Sequence, residues 1–141
     1  MQEIGCENMK IVHTSGKRKR AIARATLKEG SGKIKINKVP LDFYEPKLYR
    51  LRIREALMLA GDLASKVDID VNVNGGGIAS QADAVRLAIA KSLLDHSKSE
   101  KLKEQFLKYD RNLLVADVRR HEASKPNRHG QARAKKQKSY R

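Results

Sequence analysis

The stretch "NRHGQARAKKQKSYR" at residues 127–141 sets the outer limit on what this chain can fold into. It holds six basic side chains, no carboxylate and almost nothing apolar. Such a segment cannot offset the ordering cost of its backbone by burying surface, so it adds nothing to a core. The apolar pattern that can build one stops near Asp117. Residues 9–117 are therefore expected to form one globular α/β domain, within the roughly 100 to 150 residues common for single domains. Residues 1–8 are read as an N-terminal extension and residues 118–141 as an extended basic C-terminal tail.

Charge follows the same division. The chain of 141 residues carries 31 Lys and Arg against 16 Asp and Glu, a formal +15. From Arg119 onward there are nine basic side chains and one acidic, so +8 falls on the last 23 residues and +7 on the other 118. A surplus of this size is hard to hold on a small body without a polyanion to neutralise it, and nucleic acid is the partner it points to. A single cysteine, Cys6, excludes an internal disulfide framework. The start "MQEIGCENMK" has no apolar block of the secretory kind, and no run approaches the ~20 residues of a membrane span. The expectation is a soluble cytoplasmic protein with no membrane partner.

Periodicity supplies the elements. Residues 20–28 alternate, with Ala21, Ala23, Ala25 and Leu27 on one face and Arg20, Ile22, Arg24, Thr26 and Lys28 on the other, which predicts a strand. "EGSG" reads as a turn, and "KIKIN" continues in period two, which predicts an antiparallel hairpin between these two strands. Helical spacing of Tyr49, Ile53, Ala56, Leu57, Ala60 and Ala64 behind Pro46 predicts a helix over 47–63. "KVDIDVNVN" predicts a strand with Val67, Ile69, Val71 and Val73 buried. A helix follows, opened by a capping box of Ser80 and Asp83, with Ala82, Val85, Ile89 and Leu93 inward and Arg86 and Lys91 off that stripe. A last short helix from about Ser97, with Glu100 as its box partner, is expected to bury Leu102, Phe106 and Leu107.

Several constellations can carry chemistry. Gly75, Gly76 and Gly77, between a strand and a helix start, can offer backbone N–H groups to a phosphate, though plain turn geometry asks for glycines equally. Asp68 and Asp70 share a strand face as a general acid and base would, and equally as carboxylates paired with Arg20, Arg24, Lys33 or Lys35 on a neighbouring strand would. His13, His96, His121 and His129 share no ligand spacing with each other or with Cys6, so no metal site is expected and no cofactor is implied. Lys17, Arg18, Lys19, Arg20 and Arg24 crowd a strand entrance. Aromatic residues are only 4% of the chain, so contact is expected through phosphate and sugar and not through stacked bases.

"SGKRKRAIARATL", "GGGIASQADAVRLAIAKSLL", "YDRNLLVADVRRHE" and the closing "QKSYR" together resemble the small-ribosomal-subunit protein S nine family in its archaeal and eukaryotic form. The resemblance spans nearly the whole chain. It implies an α+β two-layer sandwich like the second domain of ribosomal protein S five, with a mainly antiparallel sheet, helices on one face and a left-handed βαβ crossover. It further implies a place in the head of the small ribosomal subunit, on the 3′ major domain of the rRNA beside neighbouring head proteins. Lys17, Arg18, Lys19, Arg20, Arg24, Arg119, Arg120, Arg128, Arg133, Lys135 and Lys136 would fall at rRNA. Lys138, Ser139, Tyr140 and Arg141 would fall at the anticodon stem-loop of tRNA in the peptidyl site. No enzyme activity and no small-molecule substrate are implied. A small phosphotransferase and an architectural DNA binder are the competing readings. The first lacks the expected phosphate loop, and the second lacks a basic groove-reading helix.

Overall fold

A computed structural model describes residues 10–135. Five strands and three helices follow in the order β1 (Val12–Arg18), β2 (Ala21–Glu29), β3 (Ile34–Ile36), β4 (Val39–Pro40), α1 (Lys47–Ala60), β5 (Val67–Asn74), α2 (Ile78–Ser97) and α3 (Glu100–Tyr109), with 3-10 turns after β4, α1 and α3. The sheet order is β1-β2-β5-β3-β4. Every neighbouring pair is antiparallel except β3 with β5. This is the α+β architecture, with helices on one face, that the resemblance implied.

The expected hairpin between residues 20–28 and "KIKIN" does not form. β5 inserts between them, pairing antiparallel with β2 and parallel with β3. The short-range pattern cannot report this, because a later strand with four buried β-branched residues competes for the same edge. The real hairpins lie on either side. β1 returns into β2 through Lys19 and Arg20. β3 returns into β4 through Asn37 and Lys38, both at positive φ (48° and 69°), the type I′ geometry that suits twisted strands. Asn37 then extends the sheet with its side chain, which accepts from Val73 N–H at 2.9 Å and donates to Val73 C=O at 3.2 Å.

Alternation decides the two faces. Ala21, Ala23, Ala25 and Leu27 of β2 and Val67, Ile69, Val71 and Val73 of β5 are all buried under the helices, as the period-two reading expects. Small alanines on β2 let α2 approach closely, and Gly16 on β1 goes further. A Cβ there would lie 2.1 Å from Ala84 O and 2.8 Å from Ala88 N, so only glycine fits. Thr14 ties the same turn by donating to Ala88 C=O at 2.8 Å. The sheet's other face is open, with Ile22, Arg24 and Lys28 on it.

α2 lies on β1, β2 and β5 on one side and meets α1 and α3 on the other. It is therefore apolar nearly all round, with Ala84, Leu87, Ala88, Ala90 and Ser92 buried beyond the expected stripe. Its N-cap is Gly77, and Ser80 sits inside the first turn without capping. The capping box fails because the glycine turn already delivers the chain into the helix three residues earlier. α3 is capped by Ser99, whose side chain accepts from Leu102 N–H. Leu102 and Phe106 anchor α3, while Leu107 stays 42% exposed, a departure from expectation. Its position one residue after Phe106 turns it about 100° off the buried face. No described helix is long and apolar enough to cross a membrane.

Candidate nucleic-acid interface

The β1–β2 turn places its charges by strand alternation. Lys17 points to the open sheet face, where it stands across from Ile22 and beside the row Ser15, Arg24 and Asn72. Arg18 points the other way, toward the helices. Lys19 occupies the apex at φ 52°, a left-handed conformation that costs a non-glycine residue about 1 kcal/mol. A lysine held there puts its ammonium at the extremity of the sandwich.

Three chain segments meet at this end. Arg18, Lys19 and Arg20 come from the turn, Gly76, Gly77 and Ser80 from the entrance to α2, and Arg119, Arg120 and His121 from the chain leaving the domain. Together they line an open cleft of about 850 Å³. Its one carboxylate is Glu122. The glycines divide their roles. Gly75 stands at φ 79° with a Cβ position 2.6 Å from Arg20 O, so it is required by its contact with the β1–β2 turn. Gly77, with nothing within 4 Å, leaves the N-terminus of α2 facing the cleft. Turn geometry thus accounts for Gly75, while Gly77 is not required by any close contact. Unpaired N–H groups and the positive end of the dipole face a wall of cations.

Behind the cleft, Asp117 and Asp83 organise the arginines. Asp117 accepts from the Arg119 guanidinium at 2.7 Å and 3.0 Å, takes its backbone N–H at 3.0 Å, and sits 3.3 Å from Arg18. Those Arg119 bonds hold the Asp117 carboxyl far below the usual carboxylate range. Arg18 lies 3.9 Å from Asp83, which also holds Arg52 at 2.9 Å. The result is a charge ladder from the tail's exit, through β1, to α1. Arg18 is thus turned inward, with its side chain 17% exposed. In the sequence, the signal for this role of Asp117 is its place beside "VRR" at the tail's root.

Arg86 is the largest departure from expectation. Read as off the buried stripe, it is 6% exposed and held by Glu55 at 2.6 Å and Asp110 at 2.9 Å. Its spacing of four from Ala82 and three from Ile89 already placed it on the stripe; only its charge argued otherwise. It pins α1, α2 and the C-terminal end of α3 together. At Asp110, burial raises the carboxyl, but the Asn112 N–H and Arg86 outweigh it and its pKa is lowered.

Asp68 and Asp70 are not brought to a cleft. Asp68 accepts from the backbone N–H groups of Ser31 and Lys33 at 2.9 and 2.8 Å, holding the loop that crosses from β2 to β3, and these bonds lower its pKa. Asp70 stands in register between Thr26 and Lys35. The pairing with Arg20 and Arg24 that the sequence allowed does not occur, since Arg20 precedes β2 and Arg24 stands across from Asn72. The open sheet face is therefore mixed in charge at the Asp68 end and basic with neutral asparagines at the Arg24 end.

Beyond Asp117 the described chain has no helix or strand. Arg133 pairs with Glu122 at 3.0 Å, and Lys125 N–H reaches Gln131 C=O at 3.2 Å, so this segment turns back on itself. Arg128, Arg133 and Lys135 lie on it, exposed. Lys136, Lys138, Ser139, Tyr140 and Arg141, like Cys6 and the 1–8 extension, lie outside the described residues. No cluster of His, Cys, Asp or Glu fit to hold a metal occurs among the described residues.

A two-layer α+β body with cations from two segments beside a helix N-terminus at one end, and an irregular basic extension, has the build of a small polyanion-binding protein. The model of the family described as ribosomal protein S9/S16 matches residues 16–141. Small ribosomal subunit protein uS9 of Methanococcus maripaludis (strain C7) is 54% identical over 134 residues, covering 94% of this chain and all of that relative. The proteins of the same name from Methanothrix thermoacetophila and Methanococcus vannielii are 53% and 52% identical over 133 and 134 residues. The chain belongs to the ribosomal protein S9/S16 family.

Proposed function

We propose that this protein is a structural constituent of the small ribosomal subunit, in the head, in the cytoplasm. It binds the 3′ major domain of the rRNA through the end of the sandwich where the β1–β2 turn, the open start of α2 and the root of the tail converge. That convergence is the observation that carries the reading: Lys19, Arg20 and Arg120 face one cleft with the N-terminus of α2, and Lys17 and Arg24 continue the cationic surface onto the open sheet. Arg18 and Arg119, held by Asp117, fix how that surface is presented. Arg128, Arg133, Lys135 and Lys136 continue along rRNA, and Glu122 is the internal anion that a phosphate replaces at Arg133. Lys138, Ser139, Tyr140 and Arg141 reach the anticodon stem-loop of tRNA in the peptidyl site, with Arg141 on a phosphate. Each such contact is individually weak, which suits a tRNA that is gripped and then released.

Salt dependence tests the reading. If about eight phosphates are neutralised, log affinity for a fragment of the 3′ major domain falls against log salt with a slope of about −6 to −7. A slope near zero removes the electrostatic account. Deleting residues 138–141 is expected to leave that affinity within twofold while loosening tRNA in the peptidyl site of assembled subunits. Equal damage to both means the two roles are misassigned.

A further inference from the structure

The helix layer carries a surface that the cation cluster does not explain. On α1, Leu48, Leu51 and Met58 are 69%, 49% and 79% exposed, and Tyr109 at the end of α3 is 57% exposed. Spacings of three and seven put the α1 residues on one face, a stripe about 15 Å long at 1.5 Å per residue. Two hollows lie along it. One of about 490 Å³ is lined by Leu48, Leu51 and Tyr109, and one of about 510 Å³ by Met58, Leu59 and Tyr109. Tyr109 belongs to both, so they make one groove between α1 and α3.

The chemistry of the groove selects among occupants. Its carboxylates, Glu55 and Asp110, are held by Arg86, and its Arg52 is held by Asp83. Large aliphatic side chains give phosphate nothing and lose free energy in water, roughly 25 cal/mol for each Å² left uncovered. RNA is thus a poor cover. α1 and α3 together carry seven basic side chains and three acidic ones. A second copy of this chain would press that basic surface against itself. The complementary surface is apolar at its centre and acidic at its edges.

We infer that the groove between α1 and α3 is a docking site for an acidic amphipathic helix of another protein. Apolar anchors at helical spacing seat on Leu48, Leu51, Met58 and Tyr109, and its carboxylates face the cations of α1 and α3. This inference rests on the reading of the protein as a constituent of the small subunit, which supplies the neighbour. The RNA-facing end and the protein-facing groove then lie on different parts of the body.

The test uses the full chain with the photoreactive residue benzoyl-phenylalanine at position 51 or 58, incorporated into small subunits. The expected adducts map to one protein segment with helically spaced apolar residues and flanking Asp or Glu. Adducts to rRNA or to a second copy of the chain, or no protein adduct, overturn the inference. In parallel, a Leu51→Glu/Met58→Glu chain competes with wild type for incorporation. Both residues are exposed, so the fold is expected to be retained, with melting checked separately. It is expected to be depleted at least fivefold in subunits while binding the isolated rRNA fragment within twofold of wild type. Equal incorporation sinks the docking site alone, whereas loss of rRNA binding by the wild-type chain sinks the functional reading itself.

Discussion

Arg86→Met keeps most of the aliphatic stem that packs in α2 and removes only the guanidinium. In the native protein that group is 7% exposed and neutralises two carboxylates, Glu55 and Asp110. Breaking a buried pair from one side typically costs ~3 to 5 kcal/mol, because the remaining charge is stranded. Here the stranded carboxylates are 34% and 32% exposed and can recover water. The expected loss is therefore about 2 to 3 kcal/mol, near 10 °C in Tm for a domain of this size. Urea denaturation followed by circular dichroism measures it. Adding Glu55→Gln and Asp110→Asn to the variant removes the stranded charges and is expected to restore at least half of the loss. A single variant within about 0.5 kcal/mol of wild type would refute the pin. A large loss that the triple variant does not restore would show that packing, not charge, holds α1 to α2.

Gly16→Ala forces a methyl into the backbone of α2 at Ala84 and Ala88; both walls are main chain, so about 3 kcal/mol of destabilisation is expected in the same assay. Gly77→Asp is expected to separate stability from binding: an aspartate suits this N-cap and raises stability by a few tenths of a kcal/mol, yet it puts a carboxylate in the cleft and weakens rRNA binding severalfold. Unchanged affinity would exclude a phosphate at the α2 terminus. Asp117→Asn removes a negative charge, which charge counting alone says should tighten RNA binding; because it also frees Arg18 and Arg119 at the tail's root, binding is expected to weaken instead, and a tighter complex in filter binding would disprove the clamp. The lowered pKa of Asp110 contributes stability that is fully present above the ordinary carboxylate value of ~3.9 and is lost as pH falls through the depressed folded value. Stability should hold from pH 7 to about 5 and decline below about 4, less steeply in Asp110→Asn.

How much was legible depends on the range of each interaction. The alternation over residues 20–28 and 67–74 and the stripe of Ile53 and Ala56 were legible, because period two and period 3.6 are properties of neighbouring residues. The insertion of β5 between β2 and β3 was not, since hydrogen bonds between residues more than thirty positions apart leave no local trace. The cation clusters at 17–20 and 119–120 were visible singly, and their sharing of one cleft was not. Arg86 was misplaced because its charge was weighed above its spacing, and its two carboxylates come from elements 24 and more residues away.

By itself, the sequence determined where a core could exist and where it could not. Composition after Asp117 forbids burial whatever the fold, and the surplus of cations demands a polyanion whatever the topology. The tertiary structure alone decided which cations act together and which are already taken. Arg18 and Arg119 are bound to Asp117, and Arg86 is locked between helices. Lys19 and Arg20 are left at the rim with the bare end of α2. The reason is geometric, since Coulomb energies and hydrogen bonds depend on separations of a few ångströms, and those separations are set only when distant segments pack.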